Sequence, residues 1–216
     1  VERSRGLGDV YKRQHLDHIA CLPLMIDSVG DMRSTPLTMH ATAATMEIIR
    51  KHIFNWHIWP DFSVIPTPEQ PFLRFATVEP GQPVQLGQRS ITPLPAAHTV
   101  PAVGYQLRNH VSGSSLAFSG DTCLCPPLWE ALNRIGQLRY LIIEAAFANR
   151  DRELALLSKH LCPSLLLEEL QQLQGRPEVL VTHAKPGQLD EIAAEIKAGN
   201  SAHQPRMLAT GTVLDF

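Results

Sequence analysis

Two rhythms of apolar and polar positions divide the chain. From residue 72 to 119, short apolar runs at 72–76, 84–86, 91–94, 103–107 and 115–119 are punctuated by Pro and Gly. That is the period-two spacing and turn chemistry of an antiparallel sheet. Beyond it the pattern alternates: helix over 127–135, strand 140–145, helices 150–158 and 163–173, strand 179–182, helix 186–198, and a closing strand from 207. Upstream, 19–29 is apolar and helical, interrupted at Pro23 and ending near Gly30-Asp31. A short strand at 36–40 and an amphipathic helix over 43–53 follow, then an aromatic-rich stretch at 52–62 before a Pro-rich loop. Sheet segments with helices between them predict a layered α/β domain, and no repeat or linker interrupts it.

Composition narrows the class. With 216 residues, 44% of them hydrophobic, the chain can bury a full core, and one domain over 15–216 is expected. Lys and Arg number 19 against 21 acidic residues, for a net charge of −2, so no basic face offers itself to nucleic acid. A small polyanion held by metal is compatible with that balance. No run of 18 apolar residues occurs, which argues against a membrane span. The four cysteines, Cys21, Cys123, Cys125 and Cys162, lack paired CxxC spacing and the density of a disulfide scaffold, so a cytoplasmic setting is the simplest. A signal peptide lost from an original N-terminus is compatible too. Cys123-Leu124-Cys125 could offer thiolates to zinc, or be two ordinary half-buried thiols.

The richest chemistry lies in Gln14-His15-Leu16-Asp17-His18, where two imidazoles and a carboxylate fall within four residues. Borderline and hard ligands at this spacing suit a divalent cation. Four more candidates stand at the ends of predicted strands: His98, Asp121 in Ser119-Gly120-Asp121-Thr122, Glu144 in Ile142-Ile143-Glu144, and His183 after Val179-Leu180-Val181-Thr182. Singly each is weak, since a lone His is often hydrogen-bonded packing and Gly-Asp-Thr is a common turn. Their order along the chain is the informative part.

That ordered set resembles the metallo-β-lactamase superfamily, whose signature His-x-His-x-Asp-His would need His at position 13. This chain has Arg13, whose guanidinium cannot coordinate. Residues 1–14 have neither a signal peptide's apolar core nor the alternation of a buried strand, and they look like a non-native leader, similar to translated adapter read-through, on an N-terminally truncated gene. A genuine basic arm is the alternative. The stretches His52-Ile53-Phe54-Asn55-Trp56, Trp59-Pro60-Asp61-Phe62, His98 to Tyr105, Phe118 to Thr122 and Lys159-His160-Leu161 resemble bacterial 3′,5′-cyclic-nucleotide phosphodiesterases of that superfamily, related to class II cyclic AMP phosphodiesterases, over about residues 15–200. Cys21, Cys123 and Cys162 depart from the residues usual at those positions.

The resemblance implies an αββα sandwich lacking its first N-terminal strands, and a hydrolase with two divalent metal ions. Zinc is the first candidate, with manganese or iron also suited to these ligands. Site one would use His15, His98 and Asp121, with the missing His at position 13. Site two would use Asp17, His18, Asp121 and His183, with Asp121 bridging. Metal-bound hydroxide would attack cyclic AMP or cyclic GMP and release a 5′-nucleoside monophosphate. Asp17 would orient the water, and His160, steered by Glu144, would protonate the leaving 3′ oxygen. Trp56, Trp59 and Phe62 could stack on a base, or could be core or lid packing, and His52 and His57 are equally open. Lys185 could meet a phosphate or be solvated. The partner expected is a small cyclic nucleotide, and a homodimer is compatible because dimers are common among such proteins. The Glu and His pair is shared with RNase Z-like tRNA 3′-processing enzymes, although no basic arm to dock tRNA is evident. Lactone or thioester hydrolysis, and a metal-free binding protein, are the other readings.

Overall fold

The computed structural model describes residues 15–216, which fall into two compact units, the first ending at Glu79 and the second running from Pro80 to Phe216. Arg13 and the leader-like segment lie outside the described residues.

The first unit opens on α1 (Leu16–Ile19) and α2 (Cys21–Val29), then β1 (Leu37–Ala41), α3 (Ala43–His52) and β2 (Leu73–Thr77). Thr42 caps α3, its hydroxyl accepting the Thr45 N–H, which is worth about 1 kcal/mol. The expectation that 72–76 joins the antiparallel sheet is corrected here: β2 pairs with β1 in parallel, Leu37 opposite Leu73 through Ala41 opposite Thr77. A parallel pair needs a long crossover, and α3 with residues 53–72 supplies it. Leu22, Ile26, Met39, Ile49, Phe54, Phe62 and Leu73 form this unit's core.

The second unit is a seven-stranded mixed sheet in the order β3 (Val84–Leu86), β4 (Arg89–Pro95), β5 (Val103–Asn109), β6 (Ser115–Phe118), β7 (Leu138–Glu144), β8 (Glu178–Thr182), β9 (Arg206–Met207). From β3 to β6 it is an antiparallel meander, as the Pro and Gly punctuation predicts, and from β6 to β9 it is parallel. The helices α4 (Pro126–Asn133), α5 (Arg152–Leu157), α6 (Pro163–Glu169) and α7 (Leu189–Ala198) lie in the connections after β6, β7 and β8. Pro126 and Pro163 open α4 and α6, where a missing N–H costs nothing and the fixed φ suits the first turn.

Alternation along the strands sorts the two faces. Leu94, Ala117, Leu141, Ile143, Val179 and Val181 pack with Leu128, Trp129, Leu132, Leu165, Leu166, Ile192 and Ile196 of the helices. Their neighbours Leu116, Tyr140 and Leu180 point the other way and meet Leu208, Leu214 and Phe216 of the C-terminal segment. Where the chain runs parallel, the C-terminal ends of β6, β7 and β8 share one edge, so residues just past those ends are brought together. Among the described residues, no helix is long and apolar enough to cross a membrane.

Candidate metal centre

That edge carries the chemistry. Asp121 follows β6, Glu144 ends β7 and His183 follows β8, while His98 comes from the loop after β4 and His160 from the loop after α5. The chain leaves β6 through Gly120, whose φ of +63° only Gly adopts freely, and this turn aims Asp121 back along the edge. His183 itself sits at φ +71°, an uncommon conformation for a residue with a Cβ, of the kind that clusters at functional sites.

Asp121 is buried, with its Oδ2 2.8 Å from His183 Nε2 and 3.7 Å from His160 Nδ1. Ligand atoms of His98, Asp121 and His160 lie within 4.8 Å of one another. The imidazoles of His160 and His183 stack with centroids 5.4 Å apart, and His98 meets His160 edge-on at 4.8 Å. The imidazoles of His98 and His183 beside one buried carboxylate are donors of the kind that hold a borderline divalent cation, and His160 stands next to them. The set fits the metal that the fold family implies.

Around these atoms lies a second layer of bonds. Glu144 is fully buried and accepts from three directions: the Thr122 N–H at 2.8 Å, the His160 Nδ1 at 2.8 Å and the Leu161 N–H at 3.2 Å. Burial, and after it the Asp121 carboxylate, push the Glu144 carboxyl well above the usual carboxylate range, against the pull of the Thr122 and Leu161 N–H groups and of His183. Both Glu144 oxygens already accept backbone N–H groups, which orients the carboxyl as an acceptor toward His160 Nδ1 and leaves Nε2 as the other ring nitrogen. Thr122 Oγ1 accepts the Ala97 N–H at 3.0 Å and the Cys123 N–H donates to Ala97 O at 2.8 Å, tying the Asp121 turn to the His98 loop.

The expected site residues are therefore placed as follows. His98, Asp121, Glu144, His160 and His183 converge in the second unit. His15, Asp17 and His18 lie in the first unit, His15 as the N-cap of α1 and Asp17 and His18 within it, with His18 Nε2 3.3 Å from Asp17 Oδ2. Cys123 and Cys125 are buried and burial pushes both thiols up, which favours the protonated form over a zinc thiolate. Lys185 Nζ lies 5.8 Å from the centre of the Phe147 ring. Of the aromatics, Phe62 belongs to the first unit's core, whereas Trp56 is 62% exposed at φ +64°. The Thr122 hydroxyl and the Lys159 backbone escaped the sequence reading, because no spacing signals a side chain that bonds a neighbouring loop.

A family model described as the beta-lactamase superfamily domain matches residues 10–184, and the chain belongs to that family. Its α/β fold is the metallo-β-lactamase fold, and the class of protein so defined is a hydrolase of that superfamily.

Within the superfamily, particular relatives are named for one reaction. A probable 3′,5′-cyclic-nucleotide phosphodiesterase of Yersinia pestis is 28% identical over 195 residues, 80% of this chain and 55% of that protein. A 3′,5′-cyclic-nucleotide phosphodiesterase of Aliivibrio fischeri is 28% identical over 189 residues, 80% and 54% of the two chains. The chain thus spans about half the length of the curated relatives it matches. Among solved structures, unliganded yeast PDE1 superposes with a TM-score of 0.72 at 20% identity, over 92% of this chain and 64% of that one. YhfI from Bacillus subtilis, a metallo-beta-lactamase fold protein, gives 0.72 at 17% identity over 95% and 76%. At such identities the likeness shows the fold.

Proposed function

We propose that this chain carries the chemistry of a metal-dependent phosphodiesterase that opens 3′,5′-cyclic nucleotides to 5′-nucleoside monophosphates. The observation that carries the reading is the 2.8 Å bond between Glu144 and His160, set beside the Asp121 carboxylate. A histidine steered by a buried carboxylate next to a metal-binding set is what cleavage of a P–O bond asks for, because the departing 3′ alkoxide needs a proton. The two bacterial relatives named as cyclic-nucleotide phosphodiesterases support the substrate class.

In this reading His98, Asp121 and His183 are metal ligands, and His15, Asp17 and His18 are ligands too, on the likeness of their motif alone. Divalent cations held by these residues, zinc or the similarly liganded manganese or iron, would supply charge stabilisation to the phosphoryl group and a more acidic water. The protein's own part is geometric and protic. Glu144 holds the His160 ring by Nδ1, so that Nε2 delivers the proton to the leaving 3′ oxygen. On the likeness of its motif alone, Asp17 would orient the attacking water. The burial of Asp121 and Glu144 keeps bulk water from competing for these bonds.

The test is hydrolysis of 3′,5′-cyclic AMP with zinc or manganese added, by the chain itself and by its Arg13→His variant. Turnover is expected, to vanish in Asp121→Ala and to fall about 10²–10⁴-fold in His160→Ala. A folded, metal-loaded chain that hydrolyses no cyclic nucleotide sinks the substrate assignment.

A further inference from the structure

Helix α5 ends in a way that is costly unless it serves the metal centre. The His160 N–H donates to Ala155 O at 2.8 Å and the Lys159 N–H to Leu156 O at 3.2 Å. These are the two bonds of a Schellman cap, and the residue in its left-handed position is Lys159, at φ +54°. Glycine is the usual occupant, because a residue with a Cβ is strained there.

What the lysine gains is a two-way contact with His98. The Lys159 carbonyl is 2.9 Å from His98 Nδ1, and Lys159 Nζ donates to the His98 carbonyl at 3.3 Å. A carbonyl can only accept, so His98 carries its proton on Nδ1, and the basic nitrogen of the neutral ring is Nε2. The next residue, His160, bonds Glu144; Glu144 accepts the Thr122 N–H; the Thr122 hydroxyl accepts the Ala97 N–H. Ala97 precedes His98, and the circuit closes.

We propose that Lys159 is a positioning residue of the metal centre: its left-handed backbone aims the carbonyl that fixes the His98 tautomer, and its ammonium pins the His98 backbone. The proposal rests on the reading of His98 as a metal ligand. A ligand imidazole whose other nitrogen is held by a carbonyl is oriented and made more basic, and loss of such support typically weakens metal binding 10–100-fold. Charge alone works in the opposite direction, since a cation near the site repels a metal ion. The sign of the effect therefore separates positioning from electrostatics.

The experiment compares the parent chain with Lys159→Gly, Lys159→Met and Lys159→Arg by competition of zinc against a chelator, with thermal melts of the metal-free proteins alongside. Glycine relieves the strained cap, so Lys159→Gly is expected to melt at or above the parent temperature and yet to bind zinc about tenfold more weakly. Lys159→Met is expected to lose both stability and affinity, and Lys159→Arg to recover most of the affinity. Zinc binding by Lys159→Gly that equals or exceeds the parent's overturns the proposal. Nitrogen-15 shifts of the His98 ring in the metal-free parent give a reading independent of zinc and of any variant's folding: a protonated Nδ1 is expected, and an Nε2–H tautomer overturns the proposal. Absence of zinc binding by the parent, with the Nδ1–H tautomer present, refutes the metal reading and this role with it. Absence of cyclic AMP hydrolysis with zinc bound leaves Lys159 in place and removes only the substrate.

Discussion

Glu144 Oε1 and His160 Nδ1 lie within hydrogen-bond distance at 2.8 Å, and both side chains are buried. The carboxyl sits at the end of β7 and the imidazole 16 residues later, so the pair is made by the sheet edge and the helix α5 turn together. Replacing Glu144 by Gln keeps the size and one acceptor but removes the charge that orients and favours a protonated His160. We expect kcat for cyclic AMP to fall about 10–100-fold, with KM within a few-fold and metal content near the parent's. Steady-state kinetics with metal analysis checks this, and a variant with unchanged kcat assigns the pair to packing.

Asp121 offers a separate prediction in two parts. The Asp121 carboxylate repels the buried Glu144 carboxyl while facing His183 Nε2 at 2.8 Å, so metal-free Asp121→Asn, which removes the repulsion and keeps an acceptor for His183, should melt close to the metal-free parent. With zinc at about 100 times its dissociation constant, the parent should gain about 2.7 kcal/mol and the variant much less. Denaturation with and without zinc decides it. Equal gains in the two proteins would show that zinc binds elsewhere.

How much of this was legible in the sequence depends on range. The strands expected at 84–86 and 103–107 and the helix expected over 127–135 follow from local pattern and turn chemistry with ends shifted by a residue or two, whereas the helix expected over 163–173 closes at Glu169 and continues as a 3-10 turn to Gln172. Strand-end position also announced Asp121, Glu144 and His183, because a polar residue closing an apolar run has nowhere to go but past the sheet. The partner of β2 was not legible, since a five-residue apolar run carries no record of which strand it will pair with. Nor was the left-handed Lys159. Its φ is imposed by the helix end and by bonds to a residue 61 positions away, and no periodicity encodes either.

Gly104 is a position where the backbone leaves no room. A Cβ placed there would stand 2.6 Å from Phe118 O and 2.7 Å from Ser119 O, both backbone atoms on the adjoining chain just before the Asp121 turn. Gly104→Ala must push β5 away from β6, at about 1–3 kcal/mol. Because Ser119 leads directly into Gly120 and Asp121, zinc affinity should fall along with the melting temperature. A variant that loses stability but keeps full zinc affinity would show the turn to be independent of the strand spacing.

His40 predicts how stability responds to acid. It lies on β1, and its Nδ1 is buried with no hydrogen-bond partner among the described residues. Burial holds its pKa below the ordinary imidazole value of 6.5. The unfolded chain therefore binds the proton more readily than the folded one, and unfolding takes up protons below that value. The stability contributed by the neutral ring is fully present above about pH 6.5 and is lost as the pH falls toward the depressed folded value. His40→Gln, which never charges, should show a shallower loss of unfolding free energy between about pH 7 and 5 than the parent. The comparison is made in chelator, so that protonation of the metal ligands is common to both proteins and cancels in the difference. Parallel curves for the two would mean that His40 protonates as easily in the fold as in the unfolded chain, and that water reaches its ring.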